Sequence, residues 1–111
     1  MADHHDATLL VQLAQWGTSM GLQEAMSVVF ADDFDPEGVD ERDPSVLTLL
    51  NFGETVGTLT KNGLLDTALV LDWLWVAGVW DRLQPAVAKA RQKMGVDGLY
   101  ENLEALAAQQ R

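Results

Sequence analysis

No cysteine occurs among the 111 residues, which excludes a disulfide framework and any thiolate nucleophile or thiolate metal site. Stability must then come from packing, and the absence favours a reducing compartment. Histidine is nearly as scarce: His4 and His5 stand together at the start of the chain, away from any apolar segment that could shape a catalytic pocket. With Asp6 they could chelate a transition metal, but three residues at a chain end offer no fixed geometry. Bases are few, 7 against 17 acids, for a net charge of -10. A positive surface for nucleic-acid phosphates is therefore not expected. Ala68 to Trp80 is an apolar run broken by Asp72, well short of the roughly 20 residues that span a bilayer. The opening MADHHDATLL lacks the basic region of a secretory signal. Taken together, these gaps predict a cytoplasmic protein with no membrane partner, no nucleic-acid partner and no cofactor.

What is present argues for a packed helical globule. Apolar residues make up 48% of the chain and four are Trp, enough to offset the ordering entropy of one domain over residues 1–111. Charge is unevenly spread. Every acid in excess lies before residue 61, and residues 32–43 hold seven Asp or Glu against Arg42 alone, which reads as an acidic loop. That field would attract cations or a basic protein partner.

Hydrophobic spacing predicts about five helices. Asp6 is placed to cap a first one carrying Leu9, Leu13, Trp16 and Met20, and Ser19 a second one through Phe30. Asp43-Pro44 is a strong start signal for a third, ending at Asn62-Gly63. Its Gly53 and Gly57, four apart, cost helix propensity and so predict close approach of a neighbouring helix. Asp66 is expected to cap a fourth helix whose Leu69, Trp73, Val76, Trp80, Leu83 and Val87 step along one face. Pro85 predicts a kink or break in it near Asp81, served by Asp81 and Arg82. Asp97 is expected to cap the last helix, and AAQQR to fray. The fold class is all-α, a single-domain helical bundle.

The stretch NFGETVGTLTKNGLLD, followed by WDRLQPAVAKAR and YENLEALA, resembles a family of small bacterial helical proteins catalogued only as a domain of unknown function. Asn51, Phe52, Glu54 and Gly57 carry the first part of the pattern, Gly63, Leu64 and Asp66 the second, Trp80 and Pro85 the third. The resemblance covers about Val46 to Ala107, with the acidic loop outside it. It implies an all-helical fold and no assigned reaction. Some relatives carry an N-terminal transmembrane helix, for which no segment here has the length.

Four groups of residues are candidates for function. Asp33, Asp35, Glu37 and Gly38 follow the opening of an EF-hand loop, but its twelfth position, normally a bidentate Glu, is Pro44, so calcium is a weak candidate beside a solvated loop. Leu71, Trp75 and Val79 form a second apolar strip on the fourth helix, opposite the main one, and are the expected homodimer interface. Asp72, Trp73 and Trp80 are the alternative, a pocket for a small apolar ligand, in which Asp72 could serve as a carboxylate of raised pKa. Glu54 is read as exposed or as a helix-to-helix salt bridge. Nothing supplies an evident nucleophile or oxyanion donor, so no catalytic residue is assigned. A non-enzymatic protein acting by association, as a homo-oligomer, is the leading expectation; an apolar-ligand binder is the second.

Overall fold

Capping chemistry sets most helix boundaries in the computed structural model, which describes residues 2–111 and holds six helices and no strand among them. These are α1 His4–Ser19, α2 Leu22–Val29, α3 Pro44–Lys61, α4 Thr67–Trp73, α5 Val76–Met94 and α6 Glu101–Gln110. The all-helical fold is as expected, with six segments in place of about five. Helix α3 is central and packs on α2, α5 and α6, while α1 leans on α2. Leu50, Val56, Leu83, Val87, Leu103 and Leu106 are buried in the core they share. Each such side chain is worth roughly 1.5–3 kcal/mol, and with no cross-links this core carries the fold.

The helix start at Asp43-Pro44 forms as predicted: the Asp43 carboxylate accepts from the amides of Ser45 at 2.9 Å and Val46 at 3.3 Å. Asp66 caps α4 by accepting from Leu69 N–H at 3.0 Å. Three other caps differ from expectation. Asp3, not Asp6, caps α1; Asp6 lies one turn in and completes a capping box with it. The second oxygen of the buried Asp6 carboxylate accepts from Asp66 N–H at 2.8 Å, tying the start of α1 to the start of α4. Helix α2 is preceded by Gly21 in the left-handed region, φ 79°, so Ser19 belongs to α1 and caps nothing. Helix α6 begins after Tyr100, also left-handed at φ 61°, and Asp97 lies in the turn before it. Nor does AAQQR fray, since α6 is helical to Gln110.

The predicted fourth helix is two. Its interruption falls at the extended Leu74 and the non-helical Trp75, rather than near Asp81, and α5 continues through Pro85. Gln110 closes the gap from α6. Its amide Nε2 donates to the carbonyls of Leu71 at 3.0 Å and Leu74 at 2.7 Å, and its Oε1 accepts from Ala77 N–H at 2.7 Å. One carboxamide thus caps the end of α4 and the start of α5 together. Asp81 and Arg82 do not serve a kink: Asp81 pairs with Arg111 on the surface, and Arg82 turns towards α2.

The acidic loop is held rather than loosely solvated, and helix α5 holds it. Arg82 donates to the carbonyls of Val29 and Ala31, both at 3.1 Å, with its guanidinium over the rings of Phe30 and Phe34. A cation there also suits the C-terminal end of α2. Lys89 donates to the carbonyls of Glu37 at 2.5 Å and Val39 at 3.1 Å. Lys93 pairs at 2.5 Å with Glu41, whose side chain is only 10% exposed. Basic residues of the chain itself therefore occupy the inner side of the loop, leaving Asp32, Asp33 and Glu37 exposed on the outer side.

Lys93, aided by a hydrogen bond from the Glu41 backbone amide, holds the Glu41 carboxyl below the usual carboxylate range. A lowered folded pKa means that the folded state binds fewer protons, so this anchor is at full strength near neutrality. Its contribution fades as pH falls through the usual carboxylate range to the lowered value. Amide protection factors over residues 39–43 should drop on acidification before those of α3 and α5, and Glu41→Gln should remove that pH dependence. Loop protection that is flat with pH in the wild-type chain would refute it.

Candidate functional site

Glu54 and Gly57 are three residues apart and share a face of α3. A Cβ on Gly57 would lie 2.6 Å from the Asn102 carbonyl oxygen and 3.0 Å from Leu103 N, so only the bare backbone lets α6 sit this close. Beside it, the Glu54 carboxylate accepts from Leu103 N–H at 2.8 Å, and Thr58 Oγ1 accepts from Asn102 Nδ2 at 3.2 Å. Tyr100 provides no side-chain cap for α6, and Glu54 supplies the missing oxygen from another helix. Glu54 is thus neither a free surface acid nor half of a salt bridge. Burial, with the Glu54 charge adding to it, pushes the Tyr100 phenol above its usual range, so the hydroxyl stays protonated at neutral pH. The Asn51, Phe52, Glu54 and Gly57 segment is the seat of α6; it builds structure rather than chemistry.

The most exposed large apolar side chain among the described residues is Trp75, at 65%. It stands on the non-helical link between α4 and α5, where no helix side covers it. One face of its indole stacks on Phe30, with centroids 5.6 Å apart, and the ring rests on the bare backbone of Gly78, where a Cβ would fall inside it. Below lies a cleft of about 80 Å³ with a wall from each of four helices: Leu22 and Met26 from α2, Leu49 and Phe52 from α3, Val79 from α5, and Leu103 from α6. Leu22, Met26 and Leu74 also line a shallower groove of about 380 Å³, which runs past Trp73 and Glu24 to Ala14 and Thr18 of α1.

The other predicted site residues fall as follows. Leu71 and Val79 are half-buried against the core, so Trp75 alone of that strip faces solvent; the break shifts the helical phase by which the three seemed aligned. Trp73 meets Phe52 edge-on at 6.1 Å and lines the groove, whereas Trp80 is buried beneath the Arg91 guanidinium and lines neither cavity. Asp72 is exposed, outside any aromatic pocket. The pocket expected from these three residues is not assembled. Asp33, Asp35 and Glu37 are not gathered around a point either: among the described residues no group of three or more His, Asp or Glu is placed to hold a metal ion. Asp35 accepts from Glu37 N–H at 3.1 Å, an ordinary turn contact. Sequence reasoning missed Gln110 and gave Arg82 a different role; both act on backbone carbonyls far along the chain. Glu54 with Gly57 could have been found, since an acid and a glycine three apart put a capping oxygen and a bare backbone on one side of a helix.

Fold and site define a small all-helical module with one apolar cleft under an exposed Trp. The chain belongs to the family described as Domain of unknown function (DUF4760), whose model matches residues 4–110. That span takes in the acidic loop, which the motif resemblance had left outside. No curated protein and no solved structure matches the chain. No helix among the described residues is long and apolar enough to cross a membrane.

Proposed function

We propose that the protein is a non-enzymatic module that acts by association, pairing with a second copy through the face that carries Trp75. The exposed indole on its rigid link is the observation that carries this reading. Size then separates it from ligand binding. At about 80 Å³ the cleft is roughly half the ~150 Å³ dry cavity that accepts benzene. It is also well below the ~300–1,000 Å³ of ordinary small-molecule sites. It suits a single apolar side chain. A two-fold axis would bring the same face of each copy together, with Trp75 packed on the partner's apolar surface rather than inserted into a cleft sized for a smaller side chain. The carboxylates of Asp6, Asp66 and Glu54, which the helix ends bring into contact with backbone, are engaged in capping.

Sedimentation equilibrium tests the pairing. Trp75→Ala should cost roughly 2 kcal/mol or more of dimer stability, about thirtyfold in dissociation constant. Gly78→Ala, which displaces the indole without removing it, should weaken the dimer in the same direction. Glu24 lines the adjoining groove and the chain carries a net charge of -10, so added salt should tighten the dimer by screening like charges. A monomer at every concentration and salt level overturns the proposal, and assembly that loosens with salt overturns its account of the charges at the face.

A further inference from the structure

A second cleft, of about 390 Å³, lies on the side of the molecule where the acidic loop ends, between α3, α5 and the turn before α6. Its volume falls within the ~300–1,000 Å³ typical of small-molecule sites, as does that of the groove past Trp73, and the pair of cations at its rim sets it apart. Leu47, Ala90, Met94 and Leu99 make an apolar wall, and Tyr100 adds a half-buried ring. The polar end is cationic in spite of the chain's overall charge. Arg42 and Lys93 both line it, against Glu41 alone.

The two cations are differently engaged. Lys93 commits one of its three donors to Glu41, at 2.5 Å. Arg42 is 82% exposed and, among the described residues, its one ion pair is a 3.9 Å contact with Asp40, outside hydrogen-bond range. Its planar fork is thus available for the two oxygens of a carboxylate. Arg82 and Lys89 turn inward and donate to loop carbonyls, Arg91 donates to the Leu99 carbonyl and Glu104, and the exposed Arg111 pairs with Asp81. Arg42 is the most exposed base lining the cleft with the apolar wall.

We infer that this cleft binds a small amphipathic carboxylate, with its anionic head on Arg42 and Lys93 and its hydrocarbon body along Leu47, Ala90, Met94 and Leu99. The site is independent of the Trp75 face.

Octanoate, titrated as a monomer into the intact protein and followed by amide NMR, tests the assignment. Shifts should concentrate at Leu47, Ala90, Leu99 and Tyr100, leaving residues 74–79 unmoved. Arg42→Gln should weaken binding about tenfold, the worth of one charged hydrogen-bonded contact. Arg42 is exposed, so this variant leaves the fold intact; Lys93 is kept because removing it would strand Glu41. 1-Octanol, with the same body and no charge, should bind the wild type about as weakly as octanoate binds the variant. Octanol binding as tightly as octanoate, an unchanged affinity in Arg42→Gln, or shifts centred on Trp75 would each overturn the site.

Discussion

Alanine at Gly57 should destabilise the protein by about 2–4 kcal/mol, although Gly→Ala inside an exposed helix normally stabilises by about 1 kcal/mol. The sign reverses because the new methyl would meet backbone, at 2.6 Å from the Asn102 carbonyl oxygen and 2.7 Å from its carbon. Backbone cannot rotate away as a side chain does. To restore a carbon contact of about 3.5–4.0 Å, α6 must retreat by roughly 1 Å. That retreat strains the 2.8 Å bond between Glu54 and Leu103 N–H, so the cap is lost along with the packing. Gly53→Ala is the comparison: its methyl would meet the end of the Leu103 side chain at 2.7 Å, which can repack, so its cost should be smaller. Urea denaturation of the two variants reads the difference directly. A neutral or stabilised Gly57→Ala would mean that α6 does not sit as closely on α3 as described.

Gln110→Ala should cost about 2–4 kcal/mol, out of proportion to a polar residue near the end of a helix, since surface changes usually stay within about 0.5 kcal/mol. Three backbone groups lose their partner at once: the carbonyls of Leu71 and Leu74 and the amide of Ala77. An unsatisfied, partly buried group costs about 1–3 kcal/mol, and water reaching the opened link recovers part of the sum. The Ala77 amide, protected in the wild type, should exchange freely in the variant. Gln110→Glu should be worse than alanine at neutral pH, because a carboxylate would face two carbonyl oxygens with no proton to offer. A loss below about 0.5 kcal/mol with Ala77 still protected would show that the link holds itself together.

Much of α3 could be read from the chain alone, because its limits are local. Asp43-Pro44 and Asn62-Gly63 act on amides and carbonyls within one turn, and the cost of Gly53 and Gly57 already implied a neighbour at that spot. Local chemistry likewise marked residues 32–43 as a loop, but not its attachment, since Arg82, Lys89 and Lys93 reach it from about 50 residues away. The division between α4 and α5 was illegible for the same reason. No glycine or proline marks Leu74 and Trp75, and the apolar stripe from Trp73 to Trp80 runs on across them, while the group that makes the interruption tolerable is Gln110. A helical wheel drawn through that point aligned Leu71, Trp75 and Val79. Of these, Trp75 is exposed, whereas Leu71 and Val79 are half-buried against the core.

Helix α6 has ten residues, begins on a left-handed Tyr100, and takes its capping oxygen from Glu54, 49 positions earlier. Isolated helices shorter than about 12–15 residues are marginal in water even with good caps. As a free segment α6 would therefore remain coil, and its ordering and its arrival on α3 are a single cooperative step. The loop-closure entropy of that long span is met only when Glu54 and Gly57 are already on a formed helix. Helix α3 thus supplies both the bare backbone and the capping oxygen on which the order of α6 depends.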